Sequence, residues 1–434
     1  MRRTMDARAR RVDRAQNLTI LLLTLSMLLL GASLPIFGEL SDSSLIELLR
    51  ARRVEAAAPT VERSGASSLV LPVRIVYTND FARVGADALT TVSDEFERAG
   101  TFLGEALGSA NGAQAIREAE FLKALAGRGM YFDFTTALPS ELLSALLGVS
   151  APDELLSGAR RMLLSSMDAE DTALYAQDGA GRCHRFSTAV SGAELADFLA
   201  ARSGVSAEFA FLLGDDYAQL DPFTLILNEE PARAALSASN ALNGSEDTIL
   251  RRAEFNAHTE NRFTESSGTV IVREASSALY LRPDGAVDYL GGAVAADSIY
   301  CVASETGSPT LAEAAAAAQN LTVTLLQGLL GDAALYLSGA SMDGERAELS
   351  FDLMVNGAPL RRSDGAHAAV VTVEGRYITA FTLNVRSYSM QESEPLLLPF
   401  ALSAAIARVY PGAELLVAYI DGGAEEVLPA WIAE

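Results

Sequence analysis

The sequence predicts an α+β protein: a single N-terminal transmembrane helix followed by two or three mixed α+β domains with antiparallel sheets. Three observations carry that reading. One uncharged stretch of 21 residues, Leu18 to Gly38, is long enough to cross a hydrocarbon core of roughly 30 Å as a helix. Beyond it, runs of strand-forming residues alternate with segments of helical period, punctuated by Asp-Gly, Glu-Gly and Asn-Gly turns. Half of the 434 residues are hydrophobic, enough to fill two or three ordinary cores.

Residues 1–17 form a basic tail, with Arg2, Arg3, Arg8, Arg10, Arg11 and Arg14 against Asp6 and Asp13, a net charge of +4. Such flanking arginines stay in the cytoplasm, which places the bulk of the chain on the outer side of a cell membrane. A secretory signal peptide is the competing reading, because Gly31 and Ser33 suit a cleavage site. The run at 18–38 exceeds a usual signal core of about 7 to 15 residues, which favours an uncleaved, single-pass anchor. Lipoprotein processing needs a cysteine just after the apolar run, and the first cysteine is Cys183. Within the span, Ser26, Gly31, Ala32 and Ser33 are small enough for a partner helix to approach closely, and they equally suit a lipid-facing helix.

Without the tail, 27 basic and 54 acidic residues remain, a net charge of -27. That field repels nucleic acid and anionic headgroups and favours a cationic partner, so no nucleic-acid role is expected. Cys183 and Cys301 fall in different predicted domains and read better as unpaired thiols than as a bridge.

Residues 39–68 read as a juxtamembrane helix, with Leu45, Leu48 and Leu49 at helical spacing, and a flexible linker, APTVERSGASS. A first α+β domain is expected over 69–235. It holds a strand at 72–78, helices at 85–107 and 115–126, the strand GMYFDF, and a helix at 139–147 opening on Pro139. A hairpin turning at Asp178 to Gly181 and a helix at 193–201 complete it. Phe132 and Phe134 alternate with Tyr131 and Asp133, as in a half-buried strand with the phenylalanines in the core.

A second α+β domain, 236–343, carries the strands of RFTESSGTVIVRE and SALYLRPDGAVDYLGG and the long helix LAEAAAAAQNLTVTLLQGLL. The third, 344–434, carries AELSFDLMV, a turn at Asn356 and Gly357, HAAVVTVEG, RYITAFTLNVRSY, a helix at 400–409, and the closing strands LLVAYI and EVLPAWI. Asp284 with Gly285, and Glu374 with Gly375, punctuate similar strand pairs in the two regions, which raises an internal duplication as one explanation. The single tryptophan, Trp431, stands three residues from the end, where a large aromatic implies a final strand that is tied down.

Catalytic signatures are missing. His184, His258 and His367 stand more than 70 residues apart and none opens a His-Glu-x-x-His helix, so no metal site is expected. Lys123 is the only lysine and has Glu120 where a Ser-x-x-Lys dyad needs serine. GASMDG, from Gly339, places its second glycine one residue too late for a nucleophile elbow. No Gly-Lys phosphate loop, Cys-x-x-Cys pair or calcium loop occurs. No catalytic residue, cofactor-binding residue or cofactor is therefore assigned. A carboxylate pair brought together only by the fold is the chemistry such a scan cannot see, and it keeps an envelope hydrolase open as an alternative. A peptide-binding module with an exposed sheet edge is another.

The layout of basic tail, single span and outer α+β domains resembles the YycH and YycI family. Most of the likeness lies in FDLMVNGAPLRR, VTVEGRYITAFTLNVRSY and LLVAYIDGGAEEVLPAWIAE. There Val417, Ala418 and Tyr419, a turn at Asp421 to Gly423, and Pro429, Ala430 and Trp431 follow a YycI-type, more loosely PepSY-like, pattern. The resemblance extends loosely to 69–235. It implies a non-enzymatic, membrane-anchored extracytoplasmic regulator of a two-component system. Its protein partner would be a sensor histidine kinase or a related anchored regulator, and homo- or hetero-oligomers are compatible with it.

Overall fold

The computed structural model describes residues 72–434 apart from 80–81, 88–91, 153–154, 156–157, 167–171, 229–231, 259, 293, 296–297 and 305–306. The basic tail, the span at 18–38 and the juxtamembrane helix lie outside the described residues. Among the described residues, no helix is long and apolar enough to cross a membrane.

The first half builds a nine-stranded antiparallel sheet. Its strands are β1 (Arg74–Asn79), β2 (Ala82–Asp87), β3 (Asn111–Ile116), β4 (Gly129–Leu138), β5 (Ala159–Ser166), β6 (Thr172–Gln177), β7 (Cys183–Ser187), β8 (Val205–Phe209) and β9 (Leu225–Leu227), in the order β3-β7-β6-β5-β4-β1-β2-β8-β9. Helices α1 (Val92–Ser109), α2 (Glu118–Leu125), α3 (Ser140–Leu147) and α4 (Gly192–Ala200) accompany it. Phe96, Leu103, Leu143 and Leu195 cover one face through Ile75, Phe132, Phe134 and Leu164. Phe121 and Leu125 of α2, with Phe209 and Phe223, cover the other through Val76, Tyr131 and Leu163.

With apolar partners on both faces, central strands are buried without alternation; β6 is buried at all six positions. Phe132 and Phe134 are core residues as expected, but Tyr131 and Asp133 are buried as well, on the opposite face, so the strand is not half-buried. The expected helix at 85–107 starts later, at Val92, because Gly85 is held in β2 opposite Val76 and Val205. Likewise Ala115 and Ile116 pair with His184 and Cys183 in β3 before α2 begins. In both places strand pairing overrides local helical preference.

The rest of the chain adds β10 (Leu236–Asn240), α5 (Glu246–Arg252), β11 (Arg262–Thr264), β12 (Val270–Glu274), β13 (Ser277–Leu281), β14 (Ala286–Leu290), α6 (Leu311–Leu326), β15 (Ala334–Asp343), β16 (Arg346–Val355), β17 (Ala358–Arg362), β18 (Ala369–Glu374), β19 (Tyr377–Asn384), β20 (Arg386–Met390), α7 (Phe400–Ala407), β21 (Leu415–Asp421), β22 (Glu426–Val427) and β23 (Pro429–Ala433). Eleven strands form one sheet, β11-β12-β13-β14-β19-β18-β16-β17-β21-β23 with β15 on β16, antiparallel except where β17 meets β21. β20, β10 and β22 form a third, small sheet.

Helix α6 starts on a capping box, Thr310 with Glu313, and buries Leu311, Ala314, Ala315, Ala318, Thr322 and Leu325. Beneath it β18 alternates, with Ala369, Val371 and Val373 buried and the residues between them half-buried, as expected for a sheet covered on one face. Asn356 and Gly357 both have positive φ, 46° and 73°, the geometry of a two-residue type I′ hairpin. The hairpins turning at Gly285 and Gly375 lie side by side, because β14 pairs with β19.

Candidate functional site

Six charged residues distant in sequence converge at one largely buried place. β1 contributes Arg74, β4 contributes Asp133 and β5 contributes Arg160 and Arg161; the strand register sets Arg74 opposite Asp133 and Asp133 opposite Arg161. Asp221 arrives on the loop before β9, and Glu414 on the residue before β21. Arg74 Nη2 lies 3.0 Å from Asp133 Oδ2 and also pairs with Glu414 Oε1. Glu414 Oε2 accepts from Arg160 Nη2 at 2.5 Å and Arg161 Nη2 at 2.8 Å. Arg161 further donates to Asp221 at 3.1 Å and Gln177 at 3.1 Å, and its guanidinium stacks 4.3 Å over the Phe223 ring.

Three arginines and three carboxylates give a neutral set, which is how such charges are tolerated at exposures of 1% for Asp133, 2% for Glu414 and 4% for Arg161. Burial alone would raise the Glu414 carboxyl, but Arg74, Arg161 and Arg160 outweigh it and hold the group at about 2. Asp133 goes the other way: burial and then the charge of Glu414 push it up to about 6 against the pull of the arginines. Burial, reinforced by Asp133, keeps the Tyr131 phenol well above its ordinary value.

Asp133 and Glu414 are a carboxylate pair of the kind that sequence could not exclude, brought together only by the fold. The two acids share a guanidinium instead of flanking a cleft. The cavity beside Arg74 holds about 60 Å³, room for water and not for a sugar ring or a peptide. A larger cavity of about 310 Å³ at the end of α6, lined by Gln319, Val323, Leu326 and Leu335, has no titratable group in its wall. The arrangement can clasp the first sheet to the start of β21, a seam extended by Asp221 N donating to Ala413 O and Gly412 N donating to Gln219 O.

The structure keeps the other residues singled out in the sequence apart. His184 sits half-buried on β7 and His258 is exposed on a loop. His367 pairs through Nδ1 with Asp352 at 3.0 Å, which raises its pKa. No group of three or more His, Cys, Asp or Glu among the described residues could hold a metal. Lys123 is exposed on α2. Ser341 is exposed within β15, a hairpin strand rather than a strand-to-helix turn. Cys183 and Cys301 are both free.

Trp431 is tied down. It stands opposite Val417 in the β21/β23 pair, its Nε1 donates to Leu398 O at 2.8 Å, and its ring meets Phe400 edge-on at 5.4 Å. That anchor fixes α7, which buries Ser403, Ala404 and Ala407 and turns Leu402 and Ile406 outward.

Sequence reasoning named neither this apolar face nor the cluster. Charged residues set inside strand-forming runs, in ARRMLLSS and YFDF, were the signal for the cluster; a helical segment without a polar face was the signal for α7.

No protein-family model matches the chain, and no curated protein sequence matches it. Among solved structures it is similar to the crystal structure of YycH from Bacillus subtilis, with a TM-score of 0.53 and 12% sequence identity over 85% of this chain and 94% of that one. The fold is YycH-like. That likeness spans both large sheets, and at 12% identity it concerns architecture alone.

Proposed function

We propose that the chain is a non-enzymatic regulator, anchored in the cell membrane by residues 18–38 with its N-terminus in the cytoplasm, whose outer part acts through contact with another protein. The observation that carries this reading is the YycH-like fold across 85% of the chain. The buried, neutral arginine–carboxylate cluster supports it, because its acids have structural partners and no substrate space. The sensor histidine kinase, or a second anchored regulator, is the partner class that the family resemblance adds. The YycI-like assignment of 344–434 and the division of the outer part at 235 and 343 belong to the same proposal.

The test is a crosslinked pull-down of the full-length protein from its own membranes, read by mass spectrometry. Recovery of a sensor kinase or another anchored protein of this build is expected. Recovery of nothing above background refutes the regulator reading.

A further inference from the structure

We infer that the outward face of α7, with the leucines that precede it, docks an apolar helix with basic flanks carried by a partner protein; this rests on the reading that the chain works by protein contact. Six large apolar side chains between residues 396 and 410 are exposed: Leu396, Leu398, Leu402, Ile406, Val409 and Tyr410. Leu396 is fully exposed and Ile406 is 57% exposed. Scattered surface leucines are ordinary; six within fifteen residues are not.

These residues have a defined arrangement. Leu402 and Ile406 stand i, i+4 on the outward side of α7 and Val409 follows in the turn after it, while Ser403 is buried and Ala404 and Ala407 pack towards Leu220 and Leu415. The loop carrying Leu396 and Leu398 is fixed by Pro395 and Pro399 and by the Trp431 indole on the Leu398 carbonyl. The ridge is therefore held in place before any partner arrives. Within α7 the backbone hydrogen bonds are closed, so contact is made by side chains, ridge into groove, and not by strand addition.

Charge selects the occupant. Glu392 and Glu394 are exposed just ahead of the leucines, and Asp215 is exposed in the 3₁₀ turn whose Tyr217 ring lies 5.6 Å from Phe400. Arg408 is the one basic residue between 391 and 410, and the chain carries a net charge of -23. An anionic lipid surface is repelled by that rim, and a second copy would bring the same acids against these. A helix with an apolar ridge flanked by lysine or arginine meets both requirements.

The experiment offers the full-length protein, in detergent, two synthetic helical peptides with the same leucine ridge, one flanked by arginine and one by glutamate. Binding is read by fluorescence anisotropy. The arginine-flanked peptide is expected to bind at least about tenfold more tightly, and Leu402→Glu with Ile406→Glu to weaken it at least about tenfold at an unchanged melting temperature. Equal binding of the two peptides, binding of neither, or insensitivity to the substitutions overturns the inference. A dimer that Ile406→Glu dissociates would assign the face to a second copy, and retention on neutral vesicles that Ile406→Glu abolishes would assign it to lipid. In the pull-down, a partner recovered unchanged by Ile406→Glu removes the docking surface and leaves the regulator reading standing. Failure to recover any partner with the unaltered chain removes the regulator reading itself.

Discussion

Replacing Glu414 by glutamine tests the clasp most directly. The substitution keeps the shape and removes the charge that Arg74, Arg160 and Arg161 share, leaving Arg161 in a 4%-exposed site with Asp221 as its remaining carboxylate. Two routes give the size of the effect. Holding a carboxyl at about 2 against its ordinary 4.5 corresponds to about 3 kcal/mol of native-state stabilisation of the charged form. Breaking a buried ion pair by removing one partner costs about 3 to 5 kcal/mol in general. The expected loss is therefore about 3 kcal/mol at neutral pH, a large part of a typical folding stability. Urea unfolding of wild type and Glu414→Gln, followed by circular dichroism, measures it.

The pH dependence supplies a second check. Because the folded pKa is depressed, Glu414 stabilises the fold above its unfolded value near 4.5, and the contribution is lost as pH falls through about 2. The gap between wild type and variant should close across that window. A loss under about 0.5 kcal/mol at neutral pH, or a gap that is constant across the acid range, would refute the account of the cluster.

Asp133→Asn should cost much less than Glu414→Gln. The Asp133 carboxyl is raised to about 6, so the aspartate's contribution is full below about 3.8 and lost as pH rises through 6; asparagine should remove that dependence in the same urea series. Trp431→Ala deletes the hydrogen bond to Leu398 O and the edge-on contact with Phe400, an expected loss of about 2 kcal/mol for a partly buried aromatic, with faster hydrogen exchange over 391–410 as the local signature. Gly31→Leu with Ser33→Leu should reduce recovery of a membrane partner in the pull-down without changing the unfolding curve; undiminished recovery would remove pairing through the span.

Legibility from sequence follows the range of the interactions. Asn356-Gly357 and Asp284-Gly285 were readable as turns because the positive φ that Asn356, Gly357 and Gly285 adopt is a local preference of those residue types. Trp431 was readable as an anchor, since little else explains a large aromatic so near a terminus. The cluster was not readable: Arg74 and Glu414 stand 340 residues apart, and only the register of β1, β4 and β5 brings the arginines and Asp133 to one place. Asp133 even looked like the polar side of a half-buried strand, because nothing local shows that α2 and the Phe209–Phe223 segment cover its other face. For α7 the helix was legible and its exposed face was not, since residues apolar on every side leave the hydrophobic period without a direction.

The clasp and the α7 face meet on one seam. Ala404 and Ala407 of α7 pack on Leu220 and Leu415, and Leu415 directly follows Glu414. On the other side of the seam Asp221 pairs with Arg161 and its backbone nitrogen donates to Ala413. The stretch from Ala413 to Leu415 thus carries the buried charge inward and the footing of the helix outward. An apolar ridge in water gains nothing by being held still unless something is to meet it, because ordering it costs entropy that only a contact offsets. A buried ionic set is a poor source of net stability compared with apolar packing but a strict one in geometry, since both oxygens of Glu414 and both of Asp221 have a defined donor. Its place beneath α7 is explained if the orientation of that helix, rather than the stability of the fold, is what the cluster secures.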